Sequence, residues 1–564
     1  MMTGMRRNCI ALIPSLVKIP PSKALSLFNS SMTNDFQHSY QSLAIILHLL
    51  VSSDKHSDAQ SLLLRLLSGR ITFPSFNLSS LLNSLTDPHF ALVPHHQALL
   101  FETIISSHAR MQLHDPCLFY LKRMIEIGLR PSSRTFNSVL LCILRSNELE
   151  KAWKLFREFK SSNMVDQHSF GIMIKYCCEI GSLDKAFEIM NQLQDSDWKA
   201  NVVIYTSLIE GCCKEGEIDR AKELFNVIGQ LGLVPNQYTY TVLINGLFKN
   251  GLREDGFNLY EKMKVDGIWP NVYTYNCMMK EYANTGQMDI AFQLLDEMRT
   301  RGVACNVVTY NTLIWGFCQE MRVSEAEELL ATMKGAGMEP NLITYNTLMN
   351  GFCETGKMEK ALSLFERMKS LGLLPSLVTY NVLISGFSKA GNLQVGERLM
   401  LEMKERGIPP SKTTYTILIQ CCTRSGNMVR AIELFHSLKK VGLSPDIRTF
   451  GVLINGWCMK GNMKEASKLF ESMNFEPNDV IYNMMILGYC KEGNSYRALR
   501  MLNEMGQKGM VPNSTSYSMT VEILCKDGKL EDADIILKDM MNSGHQPPIS
   551  IKNLMSECKV FSGG

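Results

Sequence analysis

An all-α solenoid of stacked helix pairs is the fold class this sequence predicts, on three observations. The string Tyr-Asn-Thr-Leu begins at Tyr310 and again at Tyr345, and Tyr-Asn-Val-Leu begins at Tyr380, a step of 35 residues. Within each step, apolar residues fall twice at helical spacing, with a glycine break between the two runs. Neither run can bury its apolar face alone, so successive units must stack on one another.

Extending the register places units at Ser133, Gln167, Val202, Gln237, Val272, Val307, Leu342, Leu377, Lys412, Ile447, Asp479 and Ser514, with a weaker unit over Ala98–Ser132. That makes thirteen units across residues 98–548. The unit at Ile447 is shortened to 32 residues, having lost a stretch before Glu476-Pro477. In the unit Leu342–Ser376, Tyr345, Leu348, Met349 and Phe352 form one face of a first helix. Thr355-Gly356 ends it. Met358, Ala361, Leu364, Phe365 and Met368 form the face of a second helix. Leu371-Gly372 stops that helix, and Pro375 keeps it from running into the next unit.

Most of the periodic residues read as packing. Cys178, Cys213, Cys318, Cys353, Cys458, Cys490 and Cys525 occupy the twelfth position of their units, where free cysteine acts as a small buried hydrophobe. Methionines at the twenty-seventh position, such as Met298 and Met368, read as a core seam. Alanines such as Ala291 and Ala361 read as the close contact between helices. The 17 cysteines include no Cys-x-x-Cys pair, which argues against a disulfide framework or a zinc site of the usual spacing.

The ends differ from the body. Residues 1–34 hold Arg6, Arg7, Lys18 and Lys23, are rich in Ser and Thr, and contain no acid. This is the composition of an organelle transit peptide. The whole chain carries +3, so without those four charges the body stands at −1, and any anion-binding surface in it must be local. Residues 35–97 read as a degenerate helical N-terminal cap. Leu62, Leu63, Leu64, Leu66 and Leu67 mark one amphipathic helix there, and Pro74, Pro88 and Pro94 interrupt the rest. Residues 549–564 form a C-terminal tail too short for a nuclease domain. No apolar stretch reaches the roughly 20 residues that cross a bilayer; Leu43–Val51 is too short and includes His48.

Two positions repeat without a packing reason. The fifth residue of a unit is small and polar, and so is the last, which usually follows Pro and is a natural N-cap. Capping explains the alphabet of the last residue and leaves that of the fifth unexplained. The fifth is expected to lie off the apolar face. Side-by-side first helices would set both positions in a row on one concave surface, as reading unstacked bases along a single strand requires.

The combination of Tyr-Asn-Thr-Leu-Ile, Lys-x-Gly, Glu-Ala-x-x-Leu-Phe and Gly-x-x-Pro-Asn resembles the pentatricopeptide repeat (PPR) family of plant organelles, over about 80% of the chain. Uniform unit lengths resemble its P class. The resemblance implies a right-handed superhelical solenoid in which the fifth and last residues choose one base per repeat and the second residue flanks it.

Carried over position by position, Asn137 with Asp166 implies U. Thr206 with Asn236, and Thr241 with Asn271, each imply A. Asn276 with Asn306, and Asn311 with Asn341, each imply a pyrimidine. Asn346 with Ser376, and Asn381 with Ser411, resemble C readers, Thr416 with Asp446 implies G, and Asn483 with Asn513 implies a pyrimidine. Gly171 with Asn201 and Gly451 with Asn478 are unassigned, and Glu102 with Ser132 and Ser518 with Pro548 are off-code. The implied core is U-x-A-A-Y-Y-C-C-G-x-Y. Base-stacking residues at the second position are Val203, Tyr238, Tyr273, Val308, Ile343, Val378 and Val480; Thr413 and Arg448 depart from that pattern. Cations at the thirteenth position, Lys214, Lys249, Lys389, Arg424, Lys491 and Lys526, form an interrupted phosphate track, with Gln319 and Glu354 as gaps.

No His-x-Glu pair accompanies the eleven histidines, so the editing deaminase signature is missing. No nucleophile–base constellation, metal site or cofactor motif is present. The expected function is sequence-specific binding of single-stranded organelle RNA without catalysis, acting in intron splicing or transcript stabilisation together with other processing factors. Mitochondria are the expected location, with chloroplasts as the alternative. Translation activation, or a protein-binding solenoid of the tetratricopeptide kind, are the competing readings. The latter motif favours Trp at the fourth position, where this chain has Tyr or Phe.

Overall fold

A computed structural model of the chain describes residues 20–32, 40–68, 94–160, 164–195 and 198–562. Among them all regular structure is helical. They divide into two compact units, Met1–Pro270 and Asn271–Gly564. Five helix pairs lie in the first unit, from Pro94–Arg110 with His114–Glu126 to Gln237–Lys249 with Arg253–Val265. Eight lie in the second, from Val272–Asn284 with Met288–Thr300 to Ser514–Lys526 with Leu530–Asn542. The thirteen helix pairs expected from the sequence are therefore present.

The breaks fall where the residues demand them. Gly356 and Gly372 have φ of 74° and 77°, a left-handed backbone that glycine enters without a Cβ penalty. They end the helices Leu342–Glu354 and Met358–Ser370. The shortened repeat keeps a full first helix, Ile447–Met459, and its deletion is taken from the second, Met463–Glu471.

Within each unit a first helix packs on its own second helix and on the first helices beside it. Second helices join the stack through aromatic pairs. Phe365 meets Tyr380 of the next repeat edge to face at 5.6 Å, and Phe225 meets Tyr240 at 5.0 Å. The fourth-position tyrosines are core residues, Tyr345 and Tyr380 fully buried. Met298, Met368, Ala291 and Ala361 are buried as well. The twelfth-position cysteines are free and buried. Burial pushes the thiols of Cys318 and Cys353 up to about 12, so they stay protonated packing groups.

Ahead of the repeats, Tyr40–Ser52 and His56–Leu67 form two helices, the second burying Ala59, Leu62, Leu63 and Leu66. Pro94 opens a helix, because the first helical position needs no N–H and suits the fixed φ of proline. Pro74 and Pro88 lie outside the described residues. So does the basic segment 1–34, apart from residues 20–32 with the helix Pro21–Met32. The tail carries the helix Ile549–Ser562. Among the described residues no helix is long and apolar enough to cross a membrane.

Candidate nucleic-acid interface

Each last residue from Ser132 to Asn513 stands in extended backbone immediately before a first helix. Its side-chain oxygen accepts the N–H of the third residue of that helix. Asn341 accepts from Thr344 at 3.1 Å and Asp446 from Thr449 at 2.9 Å. A capping asparagine commits Oδ1 and keeps the Nδ2 donors; a capping aspartate commits one oxygen and keeps a second acceptor. An Asn-to-Asp change at this position thus inverts the polarity offered beside the helix while preserving the cap.

Burial disfavours the charge on Asp446, but the Thr449 N–H and hydroxyl, with Lys412 and Arg448 nearby, outweigh it. Its carboxyl is held below the usual 3.8. Asp166 is likewise lowered against the effect of burial, by the Ser169 N–H and by the Asn137 and Ser169 side chains. Both are ionised at neutral pH.

Four of the fifth residues depart from the expected placement off the packed face. Asn137, Thr206, Thr241 and Asn483 are buried, Thr206 to 2% exposure. The reason is the stacking itself: the fifth residue of one first helix faces the start of the next. Asn137 Nδ2 donates to Asp166 at 3.2 Å, and Asn311 Nδ2 approaches Asn341 Oδ1 at 3.5 Å. Asn276 and Asn306 are likewise 3.5 Å apart, and Asn483 Oδ1 accepts the N–H of Asn513 at 3.1 Å. In these four repeats the fifth residue therefore meets the last across a repeat boundary. Asn276 Oδ1, Asn346 Oδ1 and Ser518 Oγ are buried atoms without a hydrogen-bond partner among the described residues. Glu102, off-code in the first repeat, accepts the N–H of Ser132 at 2.8 Å.

Beside these pairs the second residues of several repeats are apolar. Val203, Tyr238, Tyr273, Val308, Ile343, Val378 and Val480 are exposed by between 49% and 72%. Each lies three residues before a fifth residue, on the same side of its helix. Recurrent exposed apolar groups at one register position mark a surface that contacts something.

The thirteenth-position cations are exposed, and several are held by acids. Glu210 binds Lys214 at 2.9 Å, Glu522 binds Lys526 at 2.7 Å, and Glu354 pairs with Lys389. Tyr238 donates to the same Glu210 at 3.3 Å, so this cation and a second-position ring share one surface. Lys491 approaches Met459 Sδ at 3.7 Å. Lys249 and Arg424 are also exposed.

Three features escaped the sequence reading. Arg110 and Arg145 occupy the thirteenth position of the first two repeats and, with Arg134, line a hollow beside Glu102 and Ser132. Extending the cation register three units upstream, past Glu179, finds them. The tenth-position glycines, which seat against the cysteines, and the third-position residues between the reading pairs carry no periodic charge or bulk that draws notice.

Comparison with known proteins places these features in a family. The model of the PPR repeat family matches residues 131–179, 200–249, 240–284, 270–319, 306–354, 340–389, 375–424 and 477–526, and single PPR repeats match within 168–197, 413–443, 441–474 and 515–545. A pentatricopeptide repeat-containing protein of Arabidopsis thaliana is 50% identical over 206 residues, 36% of each chain. A second one, named mitochondrial, is 24% identical over 194 residues, 34% of this chain and 41% of that protein. The chain thus spans well under half the length of these relatives. Maize PPR10 aligns in structure over 98% of this chain and 93% of its own, at 21% identity and a TM-score of 0.47.

Proposed function

This chain belongs to the PPR repeat family, and on that premise we propose that it binds single-stranded organelle RNA, one base per reading pair, without catalysing a reaction on it. The observation that carries the reading is the pairing of the fifth residues Asn137, Asn276, Asn311 and Asn483 with the cap of the next first helix, beside exposed Val, Ile and Tyr side chains at the second position. Such a row offers directed donors and acceptors to base edges and apolar surface to base faces, which is how proteins read unstacked bases. The readout implied by the pairs is U-x-A-A-Y-Y-C-C-G-x-Y, with Lys214, Lys249, Lys389, Arg424, Lys491 and Lys526 toward the phosphates. Occlusion of such a segment protects a transcript from exonucleases or holds an intron for splicing, alongside other processing factors.

Binding of the full chain to that RNA as a single strand, as a duplex and with the sequence shuffled tests the reading. The single strand should bind best and the duplex poorly, because its base edges are already paired. Equal affinity for duplex and single strand sinks the proposal. Mitochondrial import is proposed from the acid-free basic segment 1–34, and the mitochondrial name of the 24% identical relative points the same way. A fluorescent fusion of residues 1–60 should enter mitochondria; a cytosolic or nuclear signal rejects that location.

A further inference from the structure

A third side chain reaches the fifth residue of the preceding repeat at several of the reading pairs. Thr344, the third residue of its repeat, is fully buried. Its hydroxyl donates to Asn311 Oδ1 of the preceding repeat at 2.6 Å, lies 3.1 Å from Asn341 Oδ1, and accepts the Asn341 N–H at 3.1 Å. The arrangement recurs. Thr414 donates to Asn381 Oδ1 at 2.7 Å and Ser169 to Asn137 Oδ1 at 2.6 Å. The Thr239 and Thr449 hydroxyls lie 2.8 Å from those of Thr206 and Thr416.

A hydroxyl has one proton to donate. Asn341 Oδ1 already receives the Thr344 N–H at 3.1 Å, so it stays satisfied when that proton turns to Asn311. The Asn311 oxygen is then held inward and its Nδ2 donors face outward. Without the hydroxyl only the long 3.5 Å approach of Nδ2 to Asn341 Oδ1 separates this amide orientation from its reverse, which would present an acceptor instead. The repeat before shows the other setting of the same three residue types. There the Thr309 hydroxyl donates to Asn306 Oδ1 at 3.1 Å, and Asn276 Oδ1 is left without a donor.

Among the twelve repeats from Ser133 onward, two lack the hydroxyl, and each comes directly after a repeat whose fifth residue is glycine. Ile204 follows Gly171, and Ile481 follows Gly451. A Cβ at Gly171 would lie 3.5 Å from Ile204 Cγ1, and one at Gly451 would lie 3.8 Å from Ile481 Cγ1, so isoleucine fills the space a polar fifth side chain would take. Capping does not explain the switch, because Asn201 and Asn478 still cap, each accepting the isoleucine N–H at 3.1 Å.

We propose that the third residue of each following repeat is the positioning residue of the reading pair: a Thr or Ser hydroxyl fixes the fifth side chain for base selection, and an Ile beside a Gly marks a position that takes a base without selecting it. This rests on the RNA-binding reading above. The test uses the full chain and a pool of single-stranded RNA oligonucleotides of randomised sequence, from which bound molecules are sequenced. In Thr344→Val the enriched motif should keep its other columns, while the column read by Asn311 and Asn341 falls from a preference of about fivefold or more toward none. Thr344→Ser should retain that preference. The reverse variant, Gly171→Asn with Ile204→Thr, should gain a preference at a column that is flat in the native chain. The proposal is overturned if Thr344→Val leaves its column intact or weakens every column alike, if Thr344→Ser loses the column too, or if the double variant's column stays flat. A native chain that enriches no motif overturns the RNA reading itself, an outcome distinct from a motif that ignores Thr344.

Discussion

Cys353 Sγ occupies the space that a side chain at Gly386 would need: a Cβ there would lie 2.4 Å from the sulfur and 2.6 Å from Cys353 Cβ. The same seat holds Gly211 against Cys178, Gly246 against Cys213 and Gly351 against Cys318. Each glycine is the tenth residue of its repeat and each cysteine the twelfth of the repeat before. This close approach of first helices sets the spacing at which a fifth residue reaches the next cap.

Gly386→Ala should therefore destabilise the protein by about 1–3 kcal/mol, because the buried Cys353 has little room to move. Gly335→Ala is the control. Gly335 is helical too, with nothing within 4 Å of its Cβ position. Alanine there should be neutral or stabilising by up to about 1 kcal/mol, the difference in helix propensity. Urea denaturation of the two variants checks the pair. Equal effects would mean that helix propensity, not the cysteine seat, governs the position.

The repeat register was legible because Tyr345, Leu348 and Phe352 advertise a helix face through bulk and spacing. So was the last-residue cap, since Asn, Ser and Asp after Pro carry a local chemical signature. The burial of Thr206 was not legible. Whether a fifth residue points to solvent or to its neighbour depends on how closely two first helices approach, and that is set by Gly–Cys contacts between residues some 33 positions apart. The pairing of Lys389 with Glu354 across a repeat boundary was hidden for the same reason.

Glu354→Gln should strengthen RNA binding. The variant releases Lys389 from its acid, so affinity for the single strand should rise severalfold at low salt. The log–log salt slope should steepen by about 0.7, the contribution of one further phosphate contact on a single strand. Stability should change by less than about 0.5 kcal/mol, since the pair is exposed. An unchanged slope would place the thirteenth-position cations away from the phosphates.

Asp446 ties stability to acid. Its folded carboxyl is held below the ordinary 3.8, so the unfolded chain takes up a proton first as pH falls. The stabilisation is fully present above 3.8 and is lost as pH drops through the lowered folded value. Thermal unfolding of the native chain and of Asp446→Asn should differ by a constant amount from neutral pH to about 5, and the gap should close below that. A gap that is constant down to pH 2 would remove Asp446 from the acid response.

Thr206→Asn probes the reading pair directly. Thr206 and Thr416 share a fifth-residue type whose hydroxyl donates to the backbone, at 2.7 Å to Val202 O and at 2.9 Å to Lys412 O. Asparagine fits such a slot, as Asn137 shows: it is also buried, and its Oδ1 receives the Ser169 hydroxyl at 2.6 Å. The substitution should therefore destabilise by only about 1 kcal/mol, the scale of one exchanged hydrogen bond. It makes the pair Asn with Asn236, the combination found at Asn276/Asn306 and Asn311/Asn341. The preference for A at that column should become a preference for a pyrimidine, with roughly 5- to 150-fold lost on the original RNA and most of it regained on the changed one. Titrating both proteins against both RNAs gives four affinities. If the variant weakens the two RNAs equally, or neither, the fifth residue orders the stack of helices and leaves base choice to other side chains.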